Sequence, residues 1–375
     1  MSVNLQIVSF DVPYPPDYGG VVDVFYKIKN LYEAGVKIYL HCFEYGRGMQ
    51  PELERYCEQV YYYKRKSGIS GISLTVPYMV YSRRDDQLLQ RLAALPFPIL
   101  FEGVHTTYYL NHPLLKQHIT IIRNQNLEQD YFAQLARRSN GLVSKLYYNL
   151  EAQLLRRKEA RLHRADAFFT VAEHDYLFFK NKYPDRVHAY IPSFQPYNEV
   201  DTEEGRGNYV LYHGNLGHPE NRDSAMYLLR QVCPLLPDVP FIFAGKDPQS
   251  DLTDGCAALP QVQLIANPGP EQMKNLVAGA QVHALPTAQA TGLKLKLLHA
   301  LFHGRHVVVN EAMVAGTGLD QACHIASSPE LFAAGIRELM SSPFTAADIE
   351  KRKALLLQRY NNVENARRIV TFLQQ

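Results

Sequence analysis

Short apolar segments alternate with stretches of helical periodicity along this chain, and the alternation runs through it twice. Residues 3–10 are largely apolar and predict a buried strand, while the Pro- and Gly-rich residues 11–20 predict a loop. Apolar residues at helical spacing follow as far as Gly35, and residues 36–43 predict a second strand. A strand, a loop, a helix and a strand in this order form a βαβ unit, whose connection is right-handed.

The remaining elements extend this pattern over both halves of the chain. Further strands are predicted at 59–63, 97–103, 118–123 and 167–172, and then at 209–213, 239–244, 262–265, 282–285 and 306–309. Helices are predicted at 127–163, 221–232, 270–278 and 293–302. Because such alternation is typical of parallel sheets with helices on both faces, the predicted fold class is α/β with two Rossmann-like domains. The Pro-, Asn- and Glu-rich residues 192–206 mark the junction, which gives domains of 1–195 and 196–359.

Length and composition exclude several classes of protein. A chain of 375 residues is too long for one ordinary core and fits two domains. Its 39 basic and 37 acidic residues leave a formal charge of +2, so we expect no nucleic-acid partner. Five cysteines without a CxxC pair argue against a disulfide scaffold or a zinc ribbon and favour a cytoplasmic location. We expect neither a membrane-spanning helix nor a secretion signal, because no apolar run has the required length or position.

Ligands of doubly wound folds bind at the carboxyl ends of the strands, which in a two-domain version places the site in a cleft between the domains. In the first half, Gly19 and Gly20 close the first strand-to-helix loop, where backbone amides can approach an anion. An ordinary tight turn explains the same pair, and the loop lacks the GxGxxG dinucleotide fingerprint. His105 follows another strand and is a candidate to orient an acceptor or take a proton, with a locally satisfied histidine as the alternative.

A third loop of the first half contains Arg123, Asn126 and Glu128. Arg123 stands at a strand end and is a candidate to contact the acceptor. Asn126 is placed to cap the following helix, and Glu128 in its first turn suits the positive end of the helix dipole.

The loops of the second half contain glycines and cations. Gly214 and Asn215 follow a strand, and Arg222 in the next helix is a candidate to neutralise a diphosphate. Lys246 directly follows a glycine at another strand end. Lys294 and Lys296 stand two residues apart and do not share a helix face, so one is expected to point to the ligand and the other to solvent. No spacing typical of metal ligands accompanies them, and no metal site is predicted.

At these residues the chain resembles glycosyltransferase family 4 of the GT-B class. In the first half the resemblance rests on DVPYPPDYGG, IIRNQNLEQDYF and LRRKEARLHRADAFFTVAEHD. In the second half it rests on YVLYHGNLGHPENRD, FIFAGKDP and GLKLKLLHALFHGRHVVV, in the order typical of that family. The resemblance covers essentially the whole chain. It implies a GT-B fold with two parallel sheets facing a central cleft, and a terminal helix, residues 360–375, that packs back on the first domain.

The resemblance implies that the protein transfers a sugar from a nucleotide-sugar to a glycan or lipid-linked acceptor. The implied reaction retains the anomeric configuration and needs neither a metal nor a cofactor. The implied context is surface-polysaccharide or glycoconjugate biosynthesis. The implied catalytic residues are His105, Lys246 and Lys296. The implied acceptor side is formed by Arg123, Asn126 and Glu128. The implied donor-binding residues are Gly19, Gly20, Gly214, Asn215, Arg222, Gly292, Leu297, Leu298 and His299.

The chain departs from the family at a pair of acidic residues. Many members have two glutamates separated by seven residues, and Thr291 and His299 stand at those positions here. A histidine can hydrogen-bond a hydroxyl but is not an ionised acceptor. A catalytically degenerate relative that binds a sugar or a partner subunit therefore stays as an alternative. An oxidoreductase or epimerase of the Rossmann type is disfavoured, because GxGxxG and YxxxK are both missing.

Charge is distributed unevenly, and helical residues 135–164 are strongly basic. Residues 1–200 hold 24 basic and 20 acidic side chains, whereas residues 201–375 hold 15 and 17. A basic helical face beside Tyr147 and Tyr148 is typical of proteins that lie on an anionic membrane, and a solvated face is the alternative. The basic face predicts peripheral contact at the inner face of the membrane.

Overall fold

A computed structural model describes residues 3–139, 141–288 and 294–375 and divides the chain into two compact units. The first unit comprises residues 1–196 and 360–375, and the second comprises residues 197–359. The sequence places the boundaries at 195/196 and 359/360, so the first differs by one residue and the second coincides.

The first unit is built on a sheet of seven parallel strands in the order β3-β2-β1-β4-β5-β6-β7. The strands are β1 (Val3–Ser9), β2 (Val36–Glu44), β3 (Gln59–Lys64), β4 (Ile99–Glu102), β5 (Thr120–Asn124), β6 (Ala167–Thr170) and β7 (Val187–Tyr190). The helices are α1 (Gly19–Glu33), α2 (Tyr78–Tyr81), α3 (Asp86–Ala94), α4 (Glu128–Arg138), α5 (Leu142–Glu159) and α6 (Glu173–Lys182). Short 3-10 helices are formed by Pro51–Arg55, Gly68–Gly71, Val104–Tyr109 and Pro113–Leu115.

Both faces of this sheet are buried, which explains why its strands read as nearly continuous apolar runs. Leu5 and Ile7 belong to one core cluster, and the alternate residue Val8 belongs to the cluster on the opposite face. The structure confirms six predicted strands of the first half, with shifts of up to two residues at their ends. It adds the edge strand β7, whose four residues have no buried face to mark them in the sequence.

Residues 127–163, predicted as one helix, form the two helices α4 and α5. The break falls at Ser139 and Gly141, which have extended backbone angles. The charge is also not arranged as one basic face, because three of the four basic residues of α5 gather in its last turn and the fourth, Lys145, lies in its first turn.

The terminal helix α14 (Asn362–Leu373) packs within the first unit. Its Ala366 and Ile369 join the core cluster that contains residues of α1 and β1. The amide Nδ2 of Asn362 also donates to the carbonyl oxygen of Gln195 at 2.7 Å.

The second unit contains a sheet of six parallel strands in the order β10-β9-β8-β11-β12-β13. The strands are β8 (Val210–Asn215), β9 (Phe241–Lys246), β10 (Val262–Ala266), β11 (Val282–Leu285), β12 (His306–Val309) and β13 (His324–Ile325). The helices are α7 (Pro219–Tyr227), α8 (Ser250–Ala257), α9 (Pro270–Gly279), α10 (Leu295–His303), α11 (Glu311–Val314), α12 (Pro329–Ser341) and α13 (Ala346–Arg359). A π-helical turn, Leu228–Val232, extends α7, and short 3-10 helices are formed by Cys233–Leu235 and Asp320–Ala322.

Two parallel sheets with helices confirm the predicted α/β fold class. All five strands predicted for the second half are present, and the two-residue strand β13 was not predicted. None of the helices that the structure describes is long and apolar enough to cross a bilayer.

Candidate functional site

The loops after β8 and β9 in the second unit are held together by backbone contacts. The amides of Leu216 and Gly217 donate to the carbonyl oxygen of Lys246 at 2.8 and 3.1 Å. A Cβ added to Gly245 would lie 1.8 Å from the carbonyl oxygen of Gly214, so only glycine permits this approach. The predicted residues Gly214, Asn215 and Lys246 therefore share one edge of the sheet, where the Lys246 side chain is exposed.

Lys296, in the first turn of α10, reaches toward this edge. Its Nζ donates to Oδ1 of Asn221 at 2.8 Å and lies 3.5 Å from the hydroxyl of Tyr212. The other amide atom of Asn221, Nδ2, donates to the carbonyl oxygen of Asn215 at 3.0 Å. Burial lowers the pKa of Lys296 to about 8, although the carboxylate of Glu220 opposes the effect. Lys296 is thus a partly buried cation whose two named contacts are neutral oxygens.

Lys294 lies close to the same carboxylate. It precedes α10 at the capping position and is buried, with its pKa lowered to about 8 by burial and opposed by Glu220. The prediction that one of the two lysines points to solvent is wrong. Helix α10 begins at Leu295, so Lys294 precedes the helix and does not follow the helical spacing. Glu220 itself accepts a hydrogen bond from the hydroxyl of Thr287.

His299 is enclosed by aromatic rings. Tyr197 stacks on it at 5.4 Å with an interplanar angle of 5°, and His213 and His303 each meet it edge-on at 5.3 Å. Burial lowers the pKa of His299 to about 4, so its imidazole is neutral near pH 7. A neutral imidazole both donates and accepts hydrogen bonds, which is compatible with a hydroxyl ligand.

Other predicted donor residues are used differently. Arg222 makes a hydrogen-bonded ion pair with Asp251 on α8, and these bonds raise the arginine pKa. The side chains of Leu297 and Leu298 are buried in the core and cannot reach a ligand. Gly292 and Thr291 lie outside the described residues.

In the first unit, His105 lies at the start of the 3-10 helix that follows β4. Gly103 precedes it with a φ of +70°, and a Cβ there would lie 2.7 Å from Nδ1 of His105. The imidazole packs on the ring of Phe10 at 5.3 Å, and the same ring would lie 2.8 Å from a Cβ added to Gly20. The structure therefore places both Gly20 and His105 beside the ring of Phe10. Gly19 begins α1.

Glu128 is a titratable neighbour of His105. Its Oε1 lies 3.9 Å from Nε2 of the imidazole. Burial and the neighbouring carboxyl of Asp175 raise the pKa of Glu128 to about 8, and burial lowers the pKa of His105 well below its usual range. Both groups are therefore largely uncharged near pH 7. Burial similarly raises the pKa of Glu159, whose carboxylate accepts from the backbone amide of Glu128, to about 8.

The assignment of Arg123 to the acceptor side is corrected by its burial. Its guanidinium donates to both carboxylate oxygens of Asp23, at 3.0 and 3.2 Å, and to the carbonyl oxygens of Ile191 and Pro192. Although burial alone would raise it, Arg123 and Lys27 hold the pKa of Asp23 well below its usual range. The arginine is fully buried and serves the interior of the first unit.

Asn126 does not occupy the predicted capping position. Helix α4 begins at Glu128, and its N-cap is Leu127, which makes no side-chain cap bond. Glu128 lies in the first turn of α4, as predicted, and Asp130 lies there too.

Sequence reasoning missed Asp23, Glu220, Asn221 and Asp175. Asp23 is a carboxylate among the buried apolar positions of α1, a conflict with periodicity that the sequence already contains. The other three lie in the first turns of helices that follow strands, so their position at the functional edge was available from topology alone. Over residues 3–139, 141–288 and 294–375, no group of three or more His, Cys, Asp or Glu side chains is arranged to hold a metal ion.

The sequence of this chain is similar to those of known proteins. Residues 207–342 match the family described as Glycosyl transferases group 1. A Klebsiella pneumoniae protein described as an uncharacterized 44.6 kDa protein in the cps region is 24% identical over 353 residues, which cover 88% of this chain and 89% of that protein.

Solved structures share the fold at low sequence identity. TarM matches with a TM-score of 0.69 and 10% identity, covering 100% of this chain and 99% of that chain. Arabidopsis thaliana UGT89C1, solved with UDP-L-rhamnose, matches with a TM-score of 0.59 and 11% identity, covering 100% and 99%. The arrangement of two parallel sheets agrees with the GT-B fold of these neighbours.

Proposed function

We propose that this chain, which has the GT-B fold, is a glycosyltransferase that moves a sugar from a nucleotide-sugar to a glycan or lipid-linked acceptor. We place the reaction in surface-polysaccharide or glycoconjugate biosynthesis and assign the chain to family 4. The relative from a cps region supports the polysaccharide context, and the structural neighbour solved with UDP-L-rhamnose supports a nucleotide-sugar donor.

The observation that carries the proposal is the environment of Lys296. Its ammonium group is partly buried at the carboxyl ends of β8 and β9, where it contacts the neutral oxygens of Asn221 and Tyr212. Among the described groups, Glu220 is the carboxylate that acts on the pKa of both Lys296 and Lys294. Buried cations are costly without a negative partner, so an anionic group such as a diphosphate would be bound strongly here.

The proposed chemistry follows from these positive charges. When the bond between the sugar and the phosphate breaks, negative charge collects on the departing diphosphate. Lys296 and the exposed Lys246 would stabilise that charge in the transition state. We propose that these cations, rather than a metal or another cofactor, supply the stabilisation, and that the anomeric configuration is retained.

On the acceptor side, we propose that His105 orients the acceptor hydroxyl or takes its proton. Its imidazole is neutral near pH 7, the form that accepts a proton. Among the described residues, its Nδ1 has no hydrogen-bond partner, although it is buried. Glu128 beside it is the proposed second acceptor-side residue.

Calorimetry of nucleoside diphosphate binding, followed by an assay of donor hydrolysis, tests the proposal. For Lys296→Ala, we expect affinity for the preferred nucleoside diphosphate to fall about 10- to 100-fold, because a charge-assisted contact contributes roughly 1.5–3 kcal/mol. The matched control is Lys351→Ala, an exposed lysine on α13, which should leave affinity unchanged. Equal affinity in Lys296→Ala and wild type would remove the assigned role.

One observation favours a second candidate, a GT-B relative that binds nucleotide or sugar without transferring it. His299 stands where the resemblance expects a glutamate, and its buried imidazole is neutral. Nucleoside diphosphate binding without donor hydrolysis or transfer, across a panel of donors, would favour that candidate over catalysis.

A further inference from the structure

Helix α5 begins with an apolar stripe that faces solvent. Leu142, Val143 and Leu146 are 87%, 84% and 73% exposed, and Tyr147 and Leu150 continue the same exposed stripe. Residues at these spacings lie on one side of a helix. Such a contiguous exposed apolar stripe indicates an interaction surface.

A second exposed apolar segment belongs to the same unit. Ile69, within the short 3-10 helix Gly68–Gly71, and Leu74, which follows that helix, are 90% and 85% exposed. Arg84 holds this segment by donating to the carbonyl oxygen of Ser70 at 3.0 Å.

The two apolar segments are linked through helix α2. The backbone amide of Tyr78, the first residue of α2, lies 3.0 Å from both carboxylate oxygens of Glu151 on α5. Val76 and Met79 pack with Leu155 in one core cluster. These contacts place residues 68–76 beside α5.

Charge around these segments is of one sign. Residues 64–84 contain five basic and no acidic side chains, and residues 131–150 contain three basic and no acidic side chains. Among the seven of these side chains that the structure describes, Arg83 is the buried one. Two acidic residues that follow the first segment are engaged within the unit, since Asp85 caps α3 and Asp86 accepts from the hydroxyl of Tyr109.

A cavity of 540 Å³ opens at the basic edge of this region. Its lining includes Lys66, Arg84, Asn111 and His112, the aromatic rings of Tyr108 and Tyr109, and one carboxylate, that of Asp86. Cationic and amide groups around a cavity of this size suit the phosphate headgroup of a lipid.

We propose that residues 64–84 and 131–150 form a membrane-docking surface for bilayers that contain anionic phospholipid. The exposed apolar side chains of α5 and of residues 69–74 enter the interface, and the surrounding lysines and arginines contact lipid phosphates. This replaces the basic helical face predicted at 135–164, because the exposed first half of α5 is mainly apolar and has Lys145 as its only charged residue.

Charge argues for a membrane over a second copy of the chain. A two-fold symmetric contact through this surface would bring two sets of cations face to face, which opposes association. An anionic bilayer offers both an apolar interior and phosphates of the complementary sign.

Vesicle flotation tests the proposal with the full chain. We expect the wild type to float with vesicles of phosphatidylcholine plus phosphatidylglycerol and to stay unbound with phosphatidylcholine alone. In the double variant Leu142→Asp/Leu146→Asp, partition should fall about tenfold or more, because the burial of apolar side chains is lost and negative charge is added. In Lys64→Gln/Lys66→Gln it should fall about 25-fold, since each surface cation contributes about 1 kcal/mol, or about fivefold.

The controls are an exposed apolar residue and an exposed cation elsewhere. Val363→Asp on α14 is 69% exposed and Lys351→Gln lies on α13, and both should partition like the wild type. Absence of binding to the anionic vesicles by the wild type, or equal losses in the controls, would overturn the proposal. So would a concentration-dependent dimer that Leu142→Asp/Leu146→Asp dissociates without any effect on vesicle binding.

This inference deepens the acceptor side of the proposed function, but the two fail separately. Vesicle binding is measured without a donor, and nucleoside diphosphate binding is measured without vesicles. The surface variants should therefore retain wild-type affinity for nucleoside diphosphate.

Discussion

The cations around Asp23 in the first unit and Lys296 in the second unit have partners of different charge. In the first unit, Lys27 lies 2.6 Å from Glu102 and 3.2 Å from Asp23, and Arg123 donates to the same Asp23. In the second unit, Lys296 is only partly buried and contacts an amide oxygen and a phenol. These cations therefore differ in depth as well as in the charge of their partners.

This difference separates a structural role from a functional one. A cation that is already neutralised inside a domain stabilises the fold, and removal of its partner leaves a buried charge without compensation. A cation beside neutral oxygens retains its electrostatic potential for a ligand. Arg123 and Lys296 were both candidates in the sequence, and the charge of their partners assigns Arg123 to the interior and keeps Lys296 as a candidate for the site.

If the first unit tolerated loss of Asp23, its central carboxylate, the structural role assigned to Arg123 would be wrong. Asp23→Ala leaves Arg123 and Lys27 with one buried acidic partner fewer, and we expect a loss of about 3–5 kcal/mol in the free energy of unfolding. Urea titration, combined with hydrogen exchange of the β5 amides, would measure the effect and locate it in the first unit.

The matched control is Asp251→Ala, which removes the partner of the partly exposed Arg222. Solvent screens that pair, so no resolvable change in the unfolding midpoint is expected. Similar midpoints for Asp23→Ala and Asp251→Ala would contradict the assignment of Arg123 and Asp23 to the interior.

Glu128→Gln provides a second test of buried charge in the first unit, because burial has largely neutralised the carboxyl of Glu128. The unfolded chain releases the proton near pH 4.5, whereas the folded chain keeps it to about pH 8. The folded state binds more protons in that interval, so this group lowers stability as pH rises from about 4.5 to 8.

Glutamine cannot ionise and removes that contribution. We expect the variant to be more stable than wild type at pH 7 by about 2 kcal/mol and equally stable near pH 4. Urea titrations across this range provide the measurement, and parallel pH profiles for the two proteins would count against a neutral Glu128.

The smallest expected effect concerns the second unit and needs no substitution. Lys294 and Lys296 both lose their protons near pH 8, so affinity for a nucleoside diphosphate should fall as pH rises through that value. Between pH 8 and 9 the loss approaches about tenfold for each lysine that contacts the ligand. Calorimetry at pH 7 and 9 on wild type and Lys296→Ala checks this, and identical slopes for the two proteins would exclude Lys296 as a titrating contact.

Strand prediction succeeded for the buried central strands and also for the half-buried edge strands β3 and β10. The central strands β1, β4, β8 and β11 are rich in apolar residues because helices cover both sides of each sheet. The edge strands β7 and β13 have exposed or half-buried side chains, so no apolar run marks them. The break between α4 and α5 was also missed, since the helical composition continues on both sides of Gly141.

The two α/β halves, the loops with polar residues at strand ends and the resemblance to GT-B glycosyltransferases were all evident from local sequence patterns. Which of those residues is available to a ligand became clear from the folded chain alone. Availability depends on partners that are far apart in the chain, such as Asp23 for Arg123 and Asn221 for Lys296. It also depends on solvent exposure, which left the apolar stripe of α5 uncovered because no element of the described chain packs over it. Local periodicity records neither property, because both arise when distant segments are brought together.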